Sequence, residues 1–300
     1  MRLLLTVLAL FGLVQTAAAS SADDYRGGWE TDSAAAGPHV YEFSIRGDQV
    51  RGIYCTACND ATTLAFVDGK FGDQGLSFVV THVRDDGSTA YRDHVSAKFT
   101  DGRLLVSGTS AAPGGGRFQW TMRKDPRGPA PVAGTPVNRL PSGPPVLAAA
   151  VPARPAAAAG APARFRAPPY VQPGPWEQLT PAKVAGVWLG FGAGIDKQFF
   201  IIRKVGDRLR GMACGRCDNP YTMAALDDIH IQGDTMTFDI LHEDWGPGSL
   251  PFHNQVTAHI SQNEMRISTQ VNNTRSRNVP GFDVQASLMG PVAVEATAGN

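Results

Sequence analysis

The chain lacks an excess of charge of either sign: 27 basic and 27 acidic residues balance over its 300 positions. No global field therefore draws it to nucleic acid or to an anionic membrane surface. Beyond Val14 no apolar run reaches the roughly 20 residues that a spanning helix needs, so no membrane insertion of the mature chain is expected. A glycine-rich phosphate loop ahead of a helix, a G-x-S-x-G elbow and an H-E-x-x-H pair are all missing. No strong amphipathic helix appears in the mature chain. Cysteine is scarce, with four residues confined to two C-x-x-C pairs.

Three features are present instead. Met1-Arg2, an apolar run from Leu3 to Val14 and Ala17-Ala18-Ala19-Ser20 are, in order, the charge, core and small-residue site of a secretory signal peptide. Residues 1–19 are expected to be removed after Ala19, releasing a periplasmic or secreted protein. A second feature is the segment 125–178, which holds 14 of the 22 prolines together with runs of alanine. Proline fixes φ and removes backbone donors, so this stretch is expected to be an extended spacer rather than a sheet. Its last part carries Tyr170 and Trp176 and is expected to dock on a domain surface.

The third feature is duplication. Gly27-Gly28-Trp29 returns as Gly186-Val187-Trp188, Gly47-Asp48 as Gly206-Asp207, Arg51-Gly52 as Arg210-Gly211, and Cys55-Thr56-Ala57-Cys58 as Cys214-Gly215-Arg216-Cys217, all at one constant spacing. The domains are accordingly residues 22–124 and 179–292. Each reads as seven short strands punctuated by Gly, Asp and Asn turns, the pattern of an all-β fold with two tandem antiparallel barrels or barrel-like sandwiches.

The doubled G-x-W, followed by a strand, a glycine turn and a second strand, resembles the opening of the calycin barrels, the lipocalin and avidin group. Arg266-Ile267-Ser268-Thr269-Gln270 is similar to a late avidin-type strand. The resemblance implies an up-and-down barrel with a ligand cavity and does not specify the ligand. The cysteine pairs fall outside it.

Those pairs admit a disulfide within each repeat (Cys55–Cys58 and Cys214–Cys217), one four-thiolate zinc site, or redox chemistry. The disulfide is favoured, since each pair follows a strand and not a helix start.

The acid–base candidates come from alternation. Leu76, Phe78, Val80 and His82 share one face of a strand, and Met236, Phe238, Ile240 and His242 match them. On the next strand Tyr91, Asp93, Val95, Ala97 and Phe99 share a face, matched by Phe252, Asn254, Val256, Ala258 and Ile260. A hairpin would bring His82 beside Asp93 and His242 beside Asn254. A carboxylate makes a histidine more basic, as a general base requires.

The loop Glu243, Asp244, Trp245 and the following His253 add functional groups to the second repeat. Arg51 and Arg210 would either clamp a ligand carboxylate or pair with a neighbouring acid. No metal site or cofactor is expected.

The function these features suggest is a cofactor-independent lyase or isomerase acting on a small aromatic molecule. Its catalytic set would be His82, Asp93, Tyr91, His242, Glu243 and Asp244. Trp245, His253, Asn254, Arg51 and Arg210 would contact the ligand. A carrier using the same residues, or hydrogen-bonded plugs that merely close each barrel, are the rival readings, and a homo-oligomer is left open.

Overall fold

The computed structural model describes residues 20–32, 37–58, 60–124, 174–192, 195–215, 217, 222–242, 252–273 and 283–290. They form two closed antiparallel barrels in tandem, each a meander in which successive strands pair and the last pairs with the first. The first barrel comprises α1 (Ala22–Tyr25), β1 (Gly27–Thr31), β2 (Val40–Arg46), β3 (Gln49–Cys55), β4 (Ala65–Gly72), β5 (Gly75–Val83), β6 (Thr89–Thr100), β7 (Arg103–Ser110) and β8 (Arg117–Arg123). The second comprises α2 (Pro181–Val184), β9 (Gly186–Gly192), β10 (Ile195–Val205), β11 (Arg208–Cys214), β12 (Met223–Gln232), β13 (Thr235–His242), β14 (Phe252–Ser261), β15 (Glu264–Asn273) and β16 (Asp283–Gly290). Among the described residues no helix is long and apolar enough to cross a membrane.

Each barrel therefore has eight strands where seven were expected. The extra one is the G-x-W segment itself, β1 or β9, which closes the ring by pairing on both sides. A single helical turn precedes it in both repeats. The indole of Trp29 donates to the Tyr25 carbonyl at 2.9 Å, and that of Trp188 to the Val184 carbonyl at 3.0 Å. The conserved geometry explains the doubled motif: a buried tryptophan pins the turn across one end of its own barrel, its N–H satisfied as burial demands. In the first barrel Tyr25 completes that plug, packing on Phe71 and Phe99. Gly47 and Gly206, at φ +60° and +63°, make the repeated β2–β3 and β10–β11 turns, where a side chain would be strained.

Both interiors are filled. Tyr41, Phe43, Phe78 and Trp29 pack with Val50, Val67, Val80, Val95, Leu104, Val106 and Met122 in the first barrel. Trp188, Phe200, Met236, Phe238, Met265 and their neighbours do so in the second. The open cavity implied by the calycin resemblance is thus a packed core, and any site must lie near a mouth.

The barrels also share a core. Ile53, Cys55, Leu64, Phe66 and Val83 from the first meet Val187, Phe199, Ile201, Met212, Cys214, Met223 and Ala225 from the second. Both C-x-x-C pairs are disulfides, each with Cα atoms 5.1 Å apart, and all four cysteines are buried in this shared cluster.

Arg203 crosses the interface at 2% exposure. Its two terminal nitrogens donate to the carbonyls of Ala61, Thr62, Leu64, Val83 and Arg84 at 3.1–3.4 Å. Beside it the Gly206 amide donates to the Gly87 carbonyl, and a Cβ on Gly87 would strike Lys204.

Gly174–Gln178 lies against the second barrel. Trp176 stacks on His259 with ring centroids 5.1 Å apart, and the Glu177 amide donates to the Ile260 carbonyl. The rest of segment 125–178, like the N-terminal residues 1–19, lies outside the described residues.

Candidate functional site

The plugging helical turn α1 occupies one end of the first barrel, which leaves the other end as its mouth. That end carries the loops joining β1 to β2, β3 to β4, β5 to β6 and β7 to β8. Pairing of β5 with β6 places His82 opposite Tyr91 and Val80 opposite Asp93. His82 consequently reaches diagonally to Asp93, with Nε2 at 2.9 Å from Oδ2, and both side chains are largely buried at 15% and 13% exposure. The alternation argument anticipated this neighbourhood. The ring of Tyr91 stacks on His82 at 4.1 Å.

Barrel closure adds residues that strand alternation alone did not single out. Tyr54 of β3 sets its ring edge-on to His82 at 5.6 Å and shares a 2.7 Å hydrogen bond with Nδ1 of His39. His39 stacks on Trp120 at 4.0 Å, and Trp120 stacks on Phe118 at 4.3 Å. Tyr41 lies behind Tyr54 at 4.8 Å. An unbroken arc of rings therefore runs from Phe118 through Trp120, His39, Tyr54 and His82 to Tyr91, with the Asp93 carboxylate at its end. Two polar atoms on this wall are buried without a partner in the protein: Oδ1 of Asp93 and Nε1 of Trp120. Buried polar atoms are normally satisfied, so an unpaired acceptor and an unpaired donor in one mouth mark where a small shift of the wall would let a ligand supply the missing hydrogen bonds.

The electrostatics follow from burial. Desolvation lowers the His82 pKa below its ordinary 6.5, the bond and charge of Asp93 opposing it only in part. The imidazole is thus neutral near pH 7, and because Asp93 can only accept, Nε2 carries the proton and Nδ1 is left as a base. Burial, then the charge of Asp93 and the neighbouring Tyr91, raises the Tyr54 hydroxyl well above its ordinary value; burial, Tyr54 and Asp93 do the same for Tyr41. Both remain protonated donors.

A stability consequence follows. Below pH 6.5 the unfolded chain takes up a proton at His82 before the folded chain does, so stability decreases as the pH is lowered through that window and is fully present above it. Denaturation midpoints at pH 7.5 and 5.5 should show this drop in the wild type and a smaller one in His82→Phe. Equal drops would remove His82 as the cause.

The second barrel repeats the scaffold without the arc. His242 and Asn254 take the same register, with Ile240 opposite Asn254 and His242 opposite Phe252, and are buried at 4% and 2% exposure. Oδ1 of Asn254 has no partner in the protein. Register matches Tyr41 with Phe200, Tyr54 with Ala213 and Trp120 with Val284, so the hydroxyls and the indole are replaced by hydrocarbon. His253 occupies a β14 position opposite Leu241, one register step from Asn254. Glu243, Asp244 and Trp245 lie outside the described residues.

Arg51 and Arg210 are elsewhere. Both bind the chain's own Asp68, Arg210 at 2.9 and 3.0 Å from across the barrel interface and Arg51 from the neighbouring strand. Of the two roles their recurrence suggested, the structure displays the pairing with a nearby acid. A groove of about 880 Å³ on the outer face of β4–β8 is lined by Lys70, Ser77, His94, Ser107 and Thr109, among others, and is open to solvent. It contains no acid–base pair like that of the mouth. Among the described residues no three His, Cys, Asp or Glu side chains converge as a metal set.

No family model matches the chain, and no curated protein matches it. Among solved structures, it is similar to the crystal structure of a protein of unknown function from the DUF3598 family of Nostoc punctiforme PCC 73102. The similarity covers 88% of this chain and 96% of that one, at 11% identity and a TM-score of 0.23, a level from which nothing about this chain's chemistry follows.

Proposed function

We propose that the protein is a periplasmic, cofactor-independent acid–base enzyme, a lyase or isomerase. Its substrate would be a small aromatic molecule held at the mouth of the first barrel. The two disulfides support an oxidising compartment outside the cytoplasm, as the N-terminal sequence suggests. The fold supports kinship with the calycin barrels, with the site moved from a deep cavity to the rim.

One observation carries the reading. Nε2 of His82 lies 2.9 Å from Oδ2 of Asp93, beside an unpaired acceptor and an unpaired donor on an aromatic wall. In this reading Nδ1 of His82 takes a proton from the substrate. Asp93 stabilises the imidazolium that forms, and the protonated Tyr54 donates a hydrogen bond to the charge developing on substrate oxygen. The proton then returns from His82 to the product or to the leaving group. Tyr91, whose one face stacks on His82, has its other face for a planar ring.

A carrier is the second reading, favoured by the raised Tyr41 and Tyr54 hydroxyls, which serve hydrogen bonding as well as they serve catalysis.

The test is untargeted mass spectrometry of a phenolic-rich small-molecule mixture incubated with the mature protein, beside His82→Ala and His242→Ala. A new product whose rate falls about 100-fold or more in His82→Ala but not in His242→Ala is the expected result, as loss of a general base requires. A compound that is retained unchanged makes the protein a carrier. Unfolding of His82→Ala together with His82→Phe/Asp93→Leu, which leaves no carboxylate stranded, makes the histidine a plug.

A further inference from the structure

The chemistry around Asp93 says more about the ligand than that it is aromatic. The described hydrogen-bond or ion-pair partner of this carboxylate is His82 alone. One of its oxygens is occupied by that bond and the other is buried and free. The basic side chains nearest in sequence point elsewhere. Alternation puts Arg92 and His94 on the opposite face of β6, and Arg84 is engaged by the Thr89 carbonyl and the Ser88 hydroxyl. Arg203 is spent on the loop carbonyls beyond Val83 and lies by Asp85. What does face the carboxylate is aromatic: Tyr91 stacked over its histidine, with Tyr54 and Tyr41 behind.

The pair, 15% and 13% exposed, thus sets a carboxylate beside an imidazole that burial pushes toward its neutral form, in ring-lined surroundings. Ring faces carry negative quadrupole charge and attract cations, as a carboxylate does, and partial burial strengthens both attractions.

We propose that the mouth of the first barrel selects an organic cation: a protonated amine joined to an aromatic ring, its N–H donated to Oδ1 of Asp93. The ring lies against Tyr91 and Tyr54. This rests on the mouth being the ligand site, and it narrows the substrate class from aromatic molecules to aryl-alkyl ammonium compounds. A neutral phenol offers the carboxylate a hydrogen bond without charge, and an anionic acid is repelled.

The test uses three probes of matched shape at pH 7.5: 2-phenylethylamine, 2-phenylethanol and 3-phenylpropanoate. Each is titrated calorimetrically into the mature full-length protein and its Asp93→Asn and Tyr54→Phe variants. The amine should bind at least about tenfold more tightly than the alcohol, with no measurable binding of the acid. Asp93→Asn should reduce the amine's advantage to about twofold or less, whereas Tyr54→Phe should weaken amine and alcohol alike. Equal or tighter binding of the alcohol or the acid overturns the cation assignment; if that binding is lost in Tyr54→Phe, the mouth remains the ligand site. Amine binding that survives Asp93→Asn unchanged overturns the assignment too. Failure of all three probes to bind overturns it together with the mouth reading.

Discussion

Arg203→Met should cost the protein about 3–5 kcal/mol and divide its unfolding into two transitions. The side chain is 2% exposed, and five backbone carbonyls of the first barrel accept from its two terminal nitrogens. Removing the guanidinium takes this donor from all five carbonyls in a buried interface; Ala61 and Arg84 keep the amides of Leu64 and Gly87, and each acceptor left unsatisfied costs about 1–3 kcal/mol before relaxation or water entry. Methionine fills most of the volume, so the loss measures the hydrogen bonds rather than a hole. Burial lowers the Arg203 pKa, while Asp85 and Asp60 act against that shift. A guanidinium stays charged even so, and its planar fork suits several carbonyls at once. Arg203→Lys, with a single nitrogen, should recover only part of the loss.

The carbonyls of Val83 and Arg84 directly follow His82 on the same chain. Weakening this brace should therefore loosen the mouth of the first barrel as well as the seam. Urea denaturation followed by tryptophan fluorescence and circular dichroism reads both effects. A single transition displaced by less than about 1 kcal/mol would show that the shared apolar cluster holds the barrels together without Arg203.

That brace marks the boundary between what could be read along the chain and what could not. Period-two alternation in Leu76–His82 and Tyr91–Phe99 is strong because one face meets a packed core, and it placed His82 beside Asp93. The first strand of each barrel gives no such signal, because Gly27-Gly28-Trp29 is short and carries no alternation. The seam was present as a different signal. In Gln198-Phe199-Phe200-Ile201-Ile202-Arg203, consecutive apolar residues fill both faces of a strand. A barrel strand that is apolar outside as well as inside must be covered, as Phe199 and Ile201 are.

The remaining half of the candidate site had no local signature at all. His39, Tyr54 and Trp120 come from the residue before β2, the end of β3 and the middle of β8, and only closure of the ring brings them together. Pairwise spacing cannot announce a contact that depends on the number of strands between.

The double variant His82→Phe/Asp93→Leu should be more stable than the wild type by about 1–3 kcal/mol, while losing all ligand binding and turnover. Buried charged or strongly polar pairs often cost more in desolvation than they return, and hydrophobic replacements of similar volume are commonly neutral or stabilising. Here the cost is visible in two places. Burial shifts His82 toward its neutral form despite the adjoining carboxylate. Oδ1 of Asp93 is buried with no acceptor role filled inside the protein. The replacements extend the apolar stripe of Val80 and Val95 to the rim and set an aromatic ring under Tyr91, where the imidazole already stacks.

Single substitutions are the wrong probe. Asp93→Leu alone strands a polar histidine, and His82→Phe alone strands a carboxylate, so each should destabilise even if the pair as a whole does. Guanidinium denaturation of the four proteins completes the cycle. A less stable double variant would mean that the pair fastens the barrel, and the plug reading would then account for it. A more stable one means that the fold keeps the pair against its own stability. That is the behaviour of a site held for chemistry, since marginal proteins lose stability at functional positions and recover it elsewhere. The filled interiors and the shared seam, with Arg203 across it, are where this chain has that stability in reserve.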